Sequence, residues 1–142
     1  MPLNGSAPVR IARPSRDLAA AERFWTRGLG LEVLFRKEAA AAEDGPGAEY
    51  GLLMLGWRDA GWHLELADCP DDPVRPSPTD EDLLVVYLDG PVSPELLRAL
   101  EENGGKRVAA RNAYWDTWGV TVEDPDGYRL VLCTRQWSNA GE

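Results

Sequence analysis

The chain has 142 residues, with 15 Lys and Arg against 24 Asp and Glu, so its formal net charge is −9. This length suits one ordinary domain with its own core, and the negative charge argues against nucleic acid as a partner because phosphates would be repelled. No apolar run reaches membrane-span length and the N-terminus lacks a signal-peptide core, so we expect a cytoplasmic protein without a membrane partner. Cys69 and Cys133 show no disulfide or metal spacing, which predicts free thiols.

The first half of the chain predicts one strand, one helix and three more strands. An apolar strand covers residues 8–13, and Asp17 then caps a helix that runs to about Arg27 with Trp25 on its buried face. The glycines that follow end this helix. Further strands are predicted at residues 31–37, 50–57 and 62–67.

The second half repeats this order after a proline-rich linker. Four prolines between residues 70 and 78 forbid regular structure. A strand follows at residues 82–88, and Ser93 caps a helix with Pro94 at its first position. Leu96, Leu97 and Leu100 form the apolar stripe of this helix. The last strands are predicted at residues 106–110, 118–123 and 128–135.

The two halves match in spacing as well as in order. The helix caps lie 76 residues apart and the glycines that end the helices lie 75 apart. Offsets that match to within one residue favour a duplicated unit of strand, helix and three strands, although two unrelated α+β halves would also allow the pattern. We therefore expect one domain over residues 1–142, with a first module at about 8–69, a linker at 70–79 and a second module at about 80–137.

The last hairpin carries a family resemblance. An alternating strand from Trp118 enters the turn Asp124-Pro125-Asp126-Gly127, in which Pro125 presets φ and Gly127 accepts positive φ, and a second strand leaves at Tyr128. This hairpin and the Asp-Leu, Phe-Trp and Gly-Leu-Gly-Leu elements of residues 17–31 resemble the vicinal oxygen chelate superfamily of glyoxalases, bleomycin-resistance proteins and extradiol dioxygenases. The resemblance implies two βαβββ modules forming curved mixed sheets around a shared cleft.

Catalytic members of that superfamily bind a divalent metal at four strand positions. Here the first falls on Arg10, the second on Glu65, the third on Asp82 or Leu83, and the fourth on Val131. Arginine and valine do not ligate metals. We therefore expect no metal cofactor, with Arg10 and Glu65 forming an ion pair at the former metal position.

The only histidine of the chain gives one alternative. His63 lies two residues before Glu65, so strand alternation places both on the same face. Together they are a weak candidate for a divalent metal, since a third protein ligand is missing.

The chain is rich in tryptophan, with six residues, and three aromatic side chains cluster before the seventh strand. Tyr114, Trp115 and Trp118 are predicted in a loop at the mouth of the cleft, where they would stack on a planar or cationic ligand, close the cleft or form a dimer contact. For Trp25 we expect core packing.

These observations favour a bleomycin-resistance-like protein without a complete metal site that binds a small, cationic aromatic molecule. The candidate ligand-binding residues are Arg10, His63, Glu65, Tyr114, Trp115, Trp118 and Val131, and no catalytic residue is assigned. The alternatives are a metal-dependent lyase or dioxygenase with a degenerate site, and a structural or regulatory partner protein. The resemblance also implies a homodimer.

Overall fold

The computed structural model describes residues 3–141, which form two four-stranded sheets, one from each half of the chain. The predicted α+β fold of two βαβββ modules is confirmed. The first module contains β1 (Val9–Pro14), α1 (Leu18–Arg23), β2 (Glu32–Lys37), β3 (Gly51–Gly56) and β4 (Trp62–Asp68). The second contains β5 (Leu83–Tyr87), α2 (Pro94–Glu102), β6 (Lys106–Val108), α3 (Ala113–Thr117), β7 (Gly119–Glu123) and β8 (Arg129–Cys133).

Both sheets have the same mixed topology. The strand orders are β1-β4-β3-β2 and β5-β8-β7-β6. The first strand of each module runs parallel to the last, and the remaining pairs are antiparallel. The duplication inferred from sequence spacing is therefore present in the strand pairing itself.

The first helix differs from the predicted single α-helix. Oδ1 of Asp17 accepts from the backbone N–H of Ala20 at 3.1 Å, which confirms the cap. From Phe24 to Gly28 the helix widens into a π turn, in which the N–H of Leu29 donates to the carbonyl of Phe24 at 3.0 Å. A single π turn inserts one extra residue and shifts the side chains that follow.

The second helix begins at the residues that the sequence predicts. Oγ of Ser93 accepts from the N–H of Leu96 at 3.1 Å, and Pro94 is the first helical residue. The helix ends at Glu102 with Asn103 as its C-cap. Leu100 is fully buried against the first helix, where a Cβ on Gly28 would lie 3.1 Å from its Cδ2 atom.

One hydrophobic core serves both modules. Trp25 is fully buried in it, as predicted, and both sheets and both long helices contribute. Because strand residues alternate, the side chains between these core positions lie on the opposite faces of the two sheets, the outer faces, where Met54, Thr121 and Val131 are also buried. The buried core consists of Ala21, Phe24, Trp25, Leu31, Leu53, Leu55, Leu64, Leu66, Leu100, Val122, Leu130 and Leu132.

Polar contacts join the last hairpin to the end of β1. Oγ of Ser15 donates to Oδ2 of Asp126 at 2.6 Å, and both residues are buried. The hydroxyl of Tyr128 donates to the carbonyl of Pro14 at 3.1 Å. The Asp-Pro-Asp-Gly turn, which the sequence predicts as a hairpin turn, therefore also fastens the second module to the first.

Both cysteines are buried free thiols, in agreement with the prediction. Among residues 3–141 the longest helix has nine residues, and none is long and apolar enough to cross a bilayer.

Candidate functional site

The outer face of the first sheet carries three residues of the predicted site. Arg10 and His63 are ladder partners in the parallel pair of β1 and β4, and Glu65 follows on the same face of β4. Nε of Arg10 donates to Nε2 of His63 at 3.0 Å, and Nη1 of Arg10 lies 3.5 Å from Oε1 of Glu65. The ion pair predicted between Arg10 and Glu65 is present.

The ion pair is asymmetric in its exposure to water. The Arg10 side chain is 53% exposed, whereas Glu65 is 17% exposed. The mostly buried carboxylate of Glu65 therefore has a half-exposed guanidinium as its partner.

The strand pairing resolves the third superfamily position. In the first module, Glu65 pairs with Ala12, and Arg10 lies two residues before Ala12. In the second module, Val131 pairs with Val85, which places the equivalent position two residues earlier, at Leu83. Leu83 is therefore the structural counterpart of Arg10.

Asp82, the other candidate for that position, has a different role. It precedes β5, and its Oδ2 atom accepts from the backbone N–H and the hydroxyl of Thr79 at 2.7 and 2.6 Å. These hydrogen bonds lower the pKa of the Asp82 carboxyl. Asp82 thus closes the turn that leads from the linker into the second sheet.

The residues present do not fit the metal centre of the superfamily. Of the four positions, occupied by Arg10, Glu65, Leu83 and Val131, only Glu65 offers a metal-ligating atom. His63 adds an imidazole, but its Nε2 atom already accepts from Arg10. Within residues 3–141, no group of three or more His, Cys, Asp or Glu side chains is arranged to hold a metal ion.

A cavity of about 240 Å³ lies beside Glu65 on the outer face of the first sheet. Small side chains of β1 and β4, from Ala12 and Ala67, form its floor together with Glu65. Pro73 and Val74 of the linker form part of its wall. The linker, predicted only as a connection, therefore helps to build a binding cavity.

Two further cavity residues were not identified from the sequence. Tyr50 lies just before β3, with its ring partly exposed, and Asp68 ends β4. No sequence pattern identifies Asp68. It lies three residues after Glu65, so strand alternation would assign the two carboxylates to opposite faces, and Asp68 reaches the cavity only because it lies at the strand end. Tyr50 and Asp68 give the cavity an aromatic ring and a second carboxylate.

The aromatic residues of the second module do not form the loop that was predicted. Ala113 to Thr117 is a short helix, so the loop prediction is wrong. Its cap is Asn112, whose Oδ1 atom accepts from the N–H of Tyr114 at 3.0 Å. The rings of Tyr114 and Trp115 meet edge to face, with centroids 5.0 Å apart.

One face of Trp118 is covered by a cation of the chain itself. The guanidinium carbon of Arg135 lies 4.5 Å from the Trp118 ring centroid. Nη1 of Arg135 also donates to the hydroxyl of Tyr114 at 3.2 Å. The cation–π contact expected from a ligand is therefore made here by an internal arginine.

Val131 lies at the centre of the second sheet and is fully buried. Its ladder partner Thr121 is also buried, and the Thr121 hydroxyl has no hydrogen-bond partner among the residues that the structure describes. The cavity beside Glu65 is lined by neither Val131 nor the aromatic cluster before β7. The predicted site residues are thus separated: Arg10, His63 and Glu65 lie on the first sheet, Tyr114, Trp115 and Trp118 lie in and directly after α3, and Val131 lies in the second sheet.

Two family models match this chain, one for each module. Residues 9–67 match the YycE-like N-terminal domain, and residues 81–134 match the YycE-like C-terminal domain. The uncharacterized protein YycE of Bacillus subtilis (strain 168) is 34% identical over 128 residues, which cover 89% of this chain and 87% of YycE.

Solved structures show the same fold. The crystal structure of YycE from Bacillus subtilis superposes with a TM-score of 0.78 at 31% identity, covering 94% of this chain and 93% of YycE. Leishmania major glyoxalase I superposes with a TM-score of 0.64 at 20% identity, covering 89% and 84% of the two chains. TnmS3, an antibiotic-binding protein from Streptomyces sp. CB03234, has a TM-score of 0.58 at 21% identity, covering 94% and 97%.

Proposed function

Since the chain belongs to the YycE-like family of the vicinal oxygen chelate superfamily, we propose that it is a small-molecule-binding protein whose ligand is an organic cation bearing an aromatic ring. The binding site is the cavity beside Glu65. No metal takes part, because the four superfamily positions offer one ligating side chain.

The observation that carries this proposal is the presence of two carboxylates and one aromatic ring around the same cavity, which Arg13 also lines, with its guanidinium lying over the Tyr128 ring. Glu65 and Asp68 supply negative charge, and Tyr50 supplies a partly exposed ring on which a planar cation can stack. Cation–π stacking contributes about 0.5–2 kcal/mol, and a charged hydrogen bond contributes about 1.5–3 kcal/mol. These two contributions sum to about 2–5 kcal/mol, which corresponds to binding in the millimolar range, and apolar contacts from the linker add to it.

The charge of the whole chain supports the same choice of ligand. A net charge of −9 favours cations, although at physiological ionic strength its effect is confined to within about 8 Å of the surface. The positive charge of Arg10 opposes this attraction near Glu65. The contact between the two side chains is long, at 3.5 Å, and the Arg10 side chain is half-exposed. An amine on the ligand can therefore take over the Glu65 carboxylate while Arg10 turns into solvent.

Isothermal titration calorimetry with a panel of aromatic amines, bleomycin-like compounds included, tests the proposal. We expect Glu65→Gln to weaken binding of the best compound about tenfold or more, because a charged partner is lost. Glu32→Gln is the matched control, since Glu32 is also ion-paired with an arginine but lies away from the cavity. Failure of the whole panel to bind, or equal binding by the Glu65→Gln variant, would refute the proposal and favour a partner-protein role.

The aromatic group of the second module stays a separate prediction. Tyr114, Trp115 and Trp118 lie in and directly after α3, and Val131 lies in the second sheet, so their contribution to the same ligand is tested by Trp118→Ala in the same titration. A change in affinity for the amines would show that the second module takes part.

A metal-dependent lyase or dioxygenase is the second candidate function. It is favoured by one observation, the adjacency of His63 and Glu65 on one strand face. Activity assays with divalent metals added distinguish it from the binding function, since only an enzyme would turn over a substrate.

We also propose that the chain forms a homodimer in the cytoplasm and that binding of a toxic compound gives resistance to it. Members of the superfamily often pair, and the outer sheet faces carry exposed apolar residues such as Phe35. Sedimentation velocity at increasing concentration tests the dimer, which a persistent monomer would contradict.

A further inference from the structure

We propose that the chain has a second binding site, specific for planar aromatic anions such as aromatic carboxylates. It is the C-terminal aromatic groove, which is lined by Tyr87, Tyr114, Arg135, Gln136, Trp137 and Ser138, with a volume of about 580 Å³. The groove lies on the second module and shares no lining residue with the cavity beside Glu65. The inference therefore stands independently of the proposed function.

Two stacked rings form one wall of the groove. The rings of Tyr87 and Trp137 lie with centroids 6.2 Å apart and planes 29° apart. The Trp137 indole N–H donates to Oδ1 of Asn139 at 2.6 Å, which fixes the orientation of the ring. Trp137 is nevertheless 65% exposed, so a wide aromatic surface is held in place and left open to solvent.

A guanidinium held by Trp118 and Tyr114 also lines the groove. Arg135 is stacked on the indole of Trp118 and donates to the hydroxyl of Tyr114. Stacking on Trp118 leaves the edge of the planar guanidinium, with its other N–H groups, free to donate in the ring plane. Among the residues that the structure describes, no carboxylate forms an ion pair with Arg135.

The charge of the groove selects an anion. Arg135 is the one charged side chain among the described lining residues. A ligand cation would be repelled by this guanidinium and would find one Trp118 face already covered. The net charge of −9 disfavours anions at long range, but at physiological ionic strength charges beyond about 8 Å are largely screened. The nearby guanidinium therefore decides the preference.

The aromatic rings and the guanidinium of the groove together define the ligand class. A planar ring stacks on Trp137 while its carboxylate accepts two parallel N–H bonds from Arg135, an arrangement that arginine favours. The volume of the groove lies within the range of about 300–1,000 Å³ that is usual for small-molecule sites, which suits a fused two- or three-ring arene.

Calorimetric titration with three matched naphthalene probes tests the inference. We expect 2-naphthoate to bind most tightly, 2-naphthamide to bind about 10- to 100-fold more weakly, and naphthalen-2-ylmethylammonium to leave the chemical shift of the Trp137 indole N–H unchanged. Arg135→Gln should lower the affinity for 2-naphthoate to that for the amide. Trp137→Ala should weaken binding of both by a similar factor, because both stack on the ring. Chemical shifts of the Trp137 indole N–H should move with 2-naphthoate.

Two control variants make the result specific. Arg58→Gln removes an exposed arginine on the other sheet and should leave 2-naphthoate binding unchanged. Glu65→Gln should also leave it unchanged, which separates this site from the cavity of the proposed function. Equal binding of the carboxylate and the amide, or unchanged binding by the Arg135→Gln and Trp137→Ala variants, would overturn the inference.

Discussion

The indole N–H of Trp25, in the helix of the first module, donates to Oδ2 of Asp124, in the hairpin of the second module, at 3.1 Å. Both residues are buried. The other carboxylate oxygen of Asp124 accepts from the backbone N–H groups of Asp126 and Tyr128, each at 2.9 Å. One carboxylate therefore organises the hairpin turn and at the same time ties it to the core of the other module.

This position makes the stability of the chain depend on pH. Burial raises the pKa of Asp124 from 3.8 to about 6, outweighing the hydrogen bonds that lower it. Because the folded state binds the proton more tightly than the unfolded state, the stabilising contribution is complete below about pH 4 and is lost as the pH rises through about 6. The loss amounts to about 3 kcal/mol of the free energy of unfolding.

Urea unfolding of the wild type and of Asp124→Asn at several pH values measures this effect. The asparagine does not titrate, so the stability of the wild type relative to the variant should fall between pH 4 and pH 7. The loss of the Trp25 hydrogen bond in the variant is the same at every pH and does not change the slope. Parallel stability curves would show that Asp124 titrates normally.

Trp25→Phe should destabilise the fold by about 2–4 kcal/mol, because it leaves a buried carboxylate oxygen without its donor and a gap in the core. Trp57→Phe is a matched control, since the Trp57 indole also donates one hydrogen bond, to the carbonyl of Gly30 at 3.2 Å, at a partly exposed position. We expect the control to cost under about 1 kcal/mol. Equal losses in thermal and urea unfolding would contradict the role assigned to Trp25.

The contact between Ser15 and Asp126 should show strong coupling in a double-mutant cycle. Its donor and acceptor are 2.6 Å apart and buried, so we expect a coupling energy of about 1.5–3 kcal/mol from Ser15→Ala and Asp126→Asn. The pair of Arg36 and Glu22 is a control at the same 2.6 Å distance on the surface, and its coupling should be smaller and decrease with salt. Similar couplings in both cycles would mean that burial is not what strengthens the module contact.

Most of the fold could be predicted because its signals are local. Caps at Asp17 and Ser93, apolar periodicity and the hairpin turn are each encoded within a few residues. The third helix was missed because its five residues are too few to show a helical period, and the aromatic run around Trp115 favoured an irregular loop. The π turn after Arg23 was missed because no local pattern marks it; it lies in contact with the second helix.

The candidate site was only partly predictable for a related reason. Strand alternation placed His63 and Glu65 on one face, and the superfamily resemblance selected Arg10, which the strand pairing places beside His63. The wall formed by the linker and the guanidinium that Arg135 places on Trp118 are long-range contacts. Such contacts depend on how segments far apart in sequence pack, so composition suggested a ligand for Trp118 where the chain supplies its own cation.

The metal content of the purified protein directly tests whether the side chains at the four superfamily positions can hold a metal ion. We expect elemental analysis of protein purified without chelator to give well under one equivalent of Zn, Ni, Fe or Mn, since Leu83 and Val131 have no ligating atoms. Protein dialysed against excess zinc and then washed should lose the metal again, because His63 and Glu65 alone form a weak site. A retained equivalent that Glu65→Gln abolishes would contradict this prediction and support the enzymatic alternative.

Gly105 should tolerate no side chain, although its φ is ordinary. It follows the second helix, and the sequence predicts it only as a helix stop. In the structure a Cβ at this position would lie 2.6 Å from the carbonyl oxygen of Leu100 and 2.9 Å from side-chain atoms of both Phe24 and Val122. These neighbours come from both modules and from the centre of the shared core, so none can move cheaply.

Gly105→Ala should therefore lower the free energy of unfolding by about 1–3 kcal/mol through overpacking. Gly61→Ala is the matched control, because Gly61 also lies in a turn with an ordinary φ and a Cβ there would meet no atom within 4 Å. This control should be neutral or stabilise the fold by a few tenths of a kcal/mol, since alanine reduces the entropy of the unfolded chain. Urea unfolding of the two variants side by side measures the difference, and equal stabilities would show that the two modules are not packed as closely around Gly105 as the structure places them.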